Sequence, residues 1–188
     1  MFIKEFIRDW KTVGAIAPSS KGLARKVVEQ AGVATAHRIL EVGAGTGSFT
    51  EAIREKLGTS AFYIGAELNP VFVEALKQRF PDLQFQAGDI VDMDLAGLCA
   101  SKGGRFEAIV SGLPWTAFSQ GLQERILDHV LPHLAPGGRF VTFAYTGFHW
   151  LPAGQRFRAL LKSRLKKVTT TSTVWMNLPP AFVYVGEA

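Results

Sequence analysis

From Arg38 onward, short apolar runs alternate with segments of helical period, and this alternation limits what the chain can fold into. The runs are Arg38 to Val42, Ala61 to Glu67, Leu83 to Ala87, Phe106 to Ser111 and Arg139 to Tyr145. Helices are expected near Ser48 to Leu57, Pro70 to Phe80 and Ser119 to Leu131, with a short one around Asp94 to Ala100. Such an order predicts an α/β fold: a parallel sheet with right-handed crossovers and helices on both faces. Ser48-Phe49-Thr50-Glu51 reads as a capping box, and Asn69-Pro70 as an N-cap followed by proline at the first helical position. In the Pro70 to Phe80 helix, Phe72, Ala75, Leu76 and Phe80 fall on one face.

The last fifth breaks the pattern. Lys166 to Trp175 and Ala181 to Gly186 are β-rich runs with only Met176 to Pro180 between them, too short for a crossover helix. They are expected to pair antiparallel at the sheet edge. Before the sheet, Phe2, Ile3, Phe6, Ile7 and Trp10 form an apolar stripe on a first helix. A second helix is expected from Ser19 or Ser20 through Leu23, Val27 and Val28. With 188 residues, 47% of them apolar, the chain reads as one domain: residues 1–35 as amphipathic or lid helices and residues 36–188 as the core.

The formal charge of +5 is unevenly placed. Residues 1–147 hold 15 basic and 15 acidic side chains, so the excess lies beyond them, in Arg156, Arg158, Lys162, Arg164, Lys166 and Lys167 against Glu187. That points to a local anionic partner. The single Cys99, without Cys/His ligand spacing, argues against a disulfide or a structural metal. The charged N-terminal stretch does not read as a signal peptide, and the uncharged run Phe140 to Gln155 is too short and polar to span a bilayer. A cytoplasmic chain with at most peripheral membrane contact is expected.

Glu41-Val42-Gly43-Ala44-Gly45-Thr46-Gly47 joins the first strand of the sheet to a helix, where an open α/β sheet binds its ligand. The spacing Gly-x-Gly-x-Gly departs from the dinucleotide fingerprint, since Ser48 stands where that fingerprint has glycine or alanine. Glu41 would repel a pyrophosphate and suits cationic ammonium or sulfonium groups. Glu67, ending the second strand, is placed to accept ribose hydroxyls; Asp89, after the third, is placed for an adenine amine, with Ile90 against the ring. Glycines could be only a tight turn and each acid only a solvated strand end, but in order at three successive strand ends they read together as a nucleoside site.

This set resembles the class I S-adenosylmethionine-dependent methyltransferases over about Ala36 to Val185, including Leu134-Ala135-Pro136-Gly137-Gly138 before the fifth strand. The resemblance implies a Rossmann-like, seven-stranded sheet of order 3-2-1-4-5-7-6 and S-adenosylmethionine as cofactor. It also implies an acceptor site at Val110-Ser111-Gly112-Leu113-Pro114-Trp115. The rRNA adenine dimethylases carry an Asn where this chain has Gly112. Asn177-Leu178-Pro179-Pro180 imitates their motif but lies in the terminal connection.

Val13 to Ser20, Ser111 to Pro114, Val174 to Ala181 and Phe143-Ala144-Tyr145-Thr146-Gly147 together resemble the bacterial phospholipid N-methyltransferases, with Thr146 interrupting the last motif. That family implies transfer of methyl groups to the amine of phosphatidylethanolamine and its partly methylated products. The implied cofactor residues are Glu41, Gly43, Gly45, Thr46, Gly47, Glu67, Leu68, Asp89, Ile90 and Ser111, with Pro18 and Ser19 from the N-terminal segment. Tyr145 is expected to orient the amine, the carbonyls of Ser111, Gly112 and Leu113 to accept its hydrogens, and His149 to be a weaker candidate for taking its proton. Trp115, Phe118 and Trp150 are expected to form an aromatic wall.

Residues 1–11 and the basic segment 156–167 are the expected contacts with an anionic membrane at its inner face, Arg156 and Arg158 being the preferred phosphate ligands. The first helix could equally dock on the core, and Lys166 and Lys167 could simply protect an edge strand. Two other readings stay open: an rRNA adenine or small-molecule amine methyltransferase, and a non-enzymatic membrane- or cofactor-binding protein. The small basic cluster argues against nucleic acid as a partner, and no protein partner is expected.

Overall fold

The computed structural model describes residues 19–188. A single sheet contains β1 (Arg38–Val42), β2 (Phe62–Glu67), β3 (Gln84–Ala87), β4 (Phe106–Ser111), β5 (Leu134–Tyr145), β6 (Lys167–Thr170) and β7 (Ala181–Glu187). Its order is β3-β2-β1-β4-β5-β7-β6; the first five strands are parallel, and β7 lies antiparallel to both β5 and β6. The helices are α1 (Lys21–Ala31), α2 (Ser48–Lys56), α3 (Pro70–Arg79), α4 (Leu95–Ser101), α5 (Gln120–Val130) and α6 (Pro152–Arg164). The expected sheet order and the antiparallel end are both present. The first helix, with Phe2, Ile3, Phe6, Ile7 and Trp10, and Pro18 lie outside the described residues.

Strand alternation divides the interior into two layers. Ile39, Ala108, Val141 and Val183 face α1, α2 and α3, meeting Leu23, Val27, Ile53, Val73 and Leu76. Leu40, Ile109, Phe140 and Phe182 face the other way onto Leu95, Ile126, Leu127, Phe157 and Leu161. A residue's parity on its strand therefore decides which helix layer it meets.

Three local readings are corrected. The predicted capping box is not formed: α2 is entered through Gly47 at φ 87° with no side-chain cap, and Glu51 turns instead to Arg79 at 2.7 Å. In α3 the buried residues are Val73 and Leu76, followed by Phe80 at its end, because Phe80 settles 6.5 Å from Phe85 of β3; Ala75 faces solvent and Phe72 is only partly buried. β5 begins at Leu134, earlier than Arg139, because its register against β4 shifts between Phe106 and Ala108. Gly138 allows that irregularity, since a Cβ there would lie 2.8 Å from Ala135 O and 3.0 Å from Glu107 O.

Candidate active site

The glycine loop leaves β1 and is stitched to β2, Gly43 N and Ala44 N both donating to Ala66 O. Its three glycines serve different ends. A Cβ on Gly43 would meet Leu113 at 2.6 Å, and one on Gly47 would meet Leu76 and Phe80 at 2.9 Å. Among the described residues a Cβ on Gly45 would meet nothing within 4 Å, so none of them covers the crest of the loop. All three have positive φ, the backbone region in which glycine carries no Cβ penalty.

Glu67 closes this cradle. Its Oε2 accepts from Gly45 N and its Oε1 from Asn69 N, each at 2.8 Å, although the residue is only 6% exposed. Two amide donors fix the carboxylate plane, and each oxygen keeps a lone pair for a hydroxyl. Asp89 follows β3, its Oδ1 accepting from Val91 N at 3.2 Å, and is partly exposed. Leu68 is also partly exposed, between Glu67 and Asn69. Ile90 differs from its expected role: it is buried in the layer containing Met93 and Leu95, because the short turn Ile90–Asp92 directs it inward.

Glu41 is fully buried beneath the loop. Its Oε2 accepts hydrogen bonds from the hydroxyls of Thr50 and Tyr63, whereas Oε1 has no partner among the described residues. Burial is the main cause that raises its pKa to about 7, with the charge of Glu67 adding to the rise. The same burial and the nearby Glu41 hold the Tyr63 phenol well above its ordinary value. Tyr63 reaches Glu41 because Gly65, opposite Glu41 on β2, has no side chain: a Cβ there would lie 2.7 Å from the phenol oxygen. Thr50 and Tyr63 were not anticipated from sequence. Their signal was a polar residue on an otherwise apolar helix face and a glycine in the middle of a buried strand.

The acceptor segment is tightly committed. Ser111 is fully buried; its Oγ accepts from Trp115 Nε1 at 3.1 Å and its carbonyl from Thr142 Oγ1 at 2.9 Å. Ser111 therefore braces the loop, contrary to its expected place against a ligand. Gly112 N donates to Val42 O at 2.8 Å, and a Cβ on Gly112 would stand 2.5 Å from Gly43 O. No side chain fits at 112 without moving the glycine loop, which is the physical counterpart of the missing Asn. Leu113 O accepts from Trp115 N, so of the three expected carbonyls only that of Gly112 accepts no hydrogen bond among the described residues.

The aromatic wall is also corrected. Trp115 and Phe118 are 2% and 5% exposed, and Trp115 stacks on Phe157 with centroids 4.6 Å apart. The turn Trp115–Ala117 folds under the end of β4 and sends the indole into the α5–α6 layer. Trp150, by contrast, is 69% exposed. His149 Nδ1 accepts from Gly147 N at 3.3 Å, and its ring meets Phe182 edge-on. Phe182 belongs to the layer opposite Tyr145, whose own ring meets the neighbouring Phe148 at 6.1 Å.

Tyr145 sits on the glycine-loop face of the sheet. Its ring contacts Phe143 at 5.3 Å, and Phe143 in turn contacts Phe49 of α2 at 5.7 Å. Burial pushes its phenol up to about 12, so it is a neutral phenol at physiological pH. Beside it, Thr146 N donates to Pro180 O, and Asn177 is buried with Oδ1 accepting from Ser20 N at 2.9 Å. The apparent decoy Asn177 thus ties the terminal connection to the start of α1, next to the groove of about 320 Å³ that Ser19 and Thr46 share.

Helix α6 starts after the carboxyl end of β5 and delivers the chain to β6, whose Lys167 lies across from Glu187 and, beyond it, Arg139, at the end of the β5–β7 ladder away from Tyr145. Arg156 and Arg158 are therefore exposed toward the acceptor edge of the sheet, while Lys166 and Lys167 are exposed at the far edge. Arg164 is taken up by Asp128 at 2.6 Å. Among the described residues there is no cluster able to hold a metal ion and no helix long and apolar enough to cross a membrane.

Among the described residues, the donor set matches a nucleoside carrying a cation: an open glycine crest, a fixed diol-accepting carboxylate, a second acid one strand along, and a buried acid with an unpartnered oxygen. Comparison with known proteins agrees. Residues 39–138 match the methyltransferase domain family. The ornithine lipid N-methyltransferase of Singulisphaera acidiphila is 30% identical over 98% of this chain and 93% of its own length. A probable ribosomal RNA small subunit methyltransferase A of Methanococcoides burtonii is 34% identical over 50% of this chain and 32% of its own length. The O-methyltransferase of Bacillus cereus, solved in complex with SAH, superposes with a TM-score of 0.73 over 97% of this chain and 88% of its own at 12% identity, a likeness of fold. The chain belongs to the methyltransferase domain family, the class I S-adenosylmethionine-dependent methyltransferases.

Proposed function

We propose that this protein methylates the primary amine of a membrane lipid headgroup at the inner face of the membrane, phosphatidylethanolamine or an ornithine lipid being the acceptor. The observation that carries the reading is the likeness to a lipid N-methyltransferase along nearly the whole chain, N-terminal segment and terminal connection included. Its likeness to two ribosomal RNA methyltransferases covers 61% and 50% of the chain. The crowded Gly112 supports the same choice, because an amide that would hold a planar base has no room there.

S-adenosylmethionine supplies an electrophilic methyl group on its sulfonium. Gly45 and Glu67 would hold its ribose, Asp89 its adenine amine, and Glu41 its ammonium from beneath the loop. The protein's remaining work is to present a neutral amine in line with that methyl. The apolar surroundings that keep Tyr145 neutral also favour an uncharged amine over an ammonium. The Tyr145 oxygen and the Gly112 carbonyl accept the amine hydrogens and leave the nitrogen lone pair directed away from them. The phenol of Tyr145 stays protonated at physiological pH, so Tyr145 orients the amine and does not take its proton. Arg156 and Arg158 would meet a headgroup phosphate or the anionic leaflet around it.

The test is incubation of the purified chain with labelled S-adenosylmethionine and three acceptors: short-chain phosphatidylethanolamine, short-chain ornithine lipid and a small-subunit rRNA fragment. Label on either lipid amine is the expected result. Label on the RNA alone would overturn it.

A further inference from the structure

The terminal connection inverts the usual pattern of a loop in water. In Trp175-Met176-Asn177-Leu178 the polar residue is inside, Asn177 being 2% exposed, while Trp175, Met176 and Leu178 are 72%, 88% and 75% exposed. The inversion is fixed by bonding. Asn177 Oδ1 accepts from Ser20 N and its Nδ2 donates to Pro179 O, which pins the backbone and leaves the apolar neighbours outside. A second exposed apolar group, Phe148, Trp150 and Leu151, follows β5. The two groups belong to one edge: Thr146 N donates to Pro180 O, and Tyr145 lies opposite Ala181 across the β5–β7 ladder.

We propose that the Trp175–Leu178 connection and the Phe148–Leu151 turn form a bilayer-seating surface whose occupant is an anionic membrane. The proposal rests on the reading that the acceptor is a lipid amine, and it names the surface that brings the site to the lipid. Charge supports this occupant. Arg156 and Arg158 are exposed on the first turns of α6, directly after Leu151, and residues 148–186 contain no acidic side chain to repel an anionic leaflet. A second copy docked face to face would set these arginines against their own equivalents. Exposed Trp beside Leu and Met, with arginine behind, is the composition that settles at the headgroup boundary. Seated this way, the edge that carries Tyr145 and the glycine loop faces the headgroup layer, and the amine need not leave the bilayer.

The test uses the full chain with Trp10→Phe and Trp150→Phe, leaving Trp175 as reporter against the constant signal of buried Trp115. Vesicles of phosphatidylcholine and phosphatidylglycerol, which offer no primary amine, are added without cofactor. The expected result is a blue shift of Trp175 with quenching by brominated acyl chains. Met176→Ser/Leu178→Ser, in the otherwise unaltered chain, should weaken vesicle binding about tenfold or more while leaving the melting temperature and cofactor affinity unchanged.

Vesicle binding with Trp175 still in water overturns the proposal, as does no vesicle binding. So does Trp175 emission already blue-shifted without lipid, whether a dimer seen by sedimentation or residues 1–18 cover the surface. Because no methyl acceptor is present, insertion of Trp175 together with failure to methylate any lipid amine would reject the acceptor reading alone.

Discussion

Glu67 accepts the backbone N–H of Gly45 at 2.8 Å, so a carboxylate at the end of β2 fixes the crest of the glycine loop that leaves β1. The group expected to hold the ribose is thus the group that shapes the loop. Glu67→Ala removes a charged acceptor for two amides and two hydroxyls, each such bond contributing roughly 1.5–3 kcal/mol. Cofactor affinity measured by calorimetry should fall by about 100-fold or more. An unchanged dissociation constant would refute the assignment.

Glu41 makes folding depend on pH. The unfolded chain releases this proton near pH 4.5, whereas the folded chain retains it to about pH 7. Its stabilising contribution is therefore complete below pH 4.5 and declines as pH rises to about 7, by up to about 3 kcal/mol. Glu41→Gln keeps an oxygen for Thr50 and Tyr63 and removes the titration. In thermal melts the variant should match the parent at pH 4.5 and exceed it at pH 8. A difference that is the same at both pH values would contradict this account.

Gly112→Asn restores the amide of the adenine dimethylases in sequence but not in space. The clash is between Cβ and a backbone oxygen of the cofactor loop, so no rotamer relieves it. We expect a loss of about 1–3 kcal/mol in denaturant unfolding and weaker cofactor binding, with no gain of activity on RNA. Wild-type stability with new RNA methylation would show that the loop yields more easily than its packing implies.

The two ends of the basic segment should separate in vesicle sedimentation. Arg156→Glu/Arg158→Glu reverses charge at the acceptor edge, and each near-surface charge contributes about 1 kcal/mol. Affinity for anionic vesicles should fall by an order of magnitude or more, while Lys166→Glu/Lys167→Glu, at the far edge, should change it much less. Equal losses would mean that the segment acts as diffuse charge.

The alternation of strands and helices and the glycine loop were legible because hydrophobic periodicity and the Gly-x-Gly-x-Gly spacing are local patterns, whereas the sheet order followed from the family resemblance. What failed to show in the sequence was which aromatic residues face a ligand. Trp115 and Phe118 follow the acceptor motif as closely as an aromatic wall would, yet the turn at Trp115–Ala117 buries both, a consequence of tertiary packing on Phe157. The Glu41–Tyr63–Thr50 cluster was hidden for the same reason, since its members meet only when β1, β2 and α2 pack. Asn177 resembled a misplaced motif until its bond to Ser20 gave it a structural purpose.

The most direct measurement is mass spectrometry of lipids from cells that lack methylated aminolipids and express either the wild-type chain or Glu67→Ala. The account predicts aminolipids heavier by one or more methyl groups with the wild type and none with the variant. An unaltered lipid profile in cells that accumulate folded, cofactor-binding wild-type protein would contradict it.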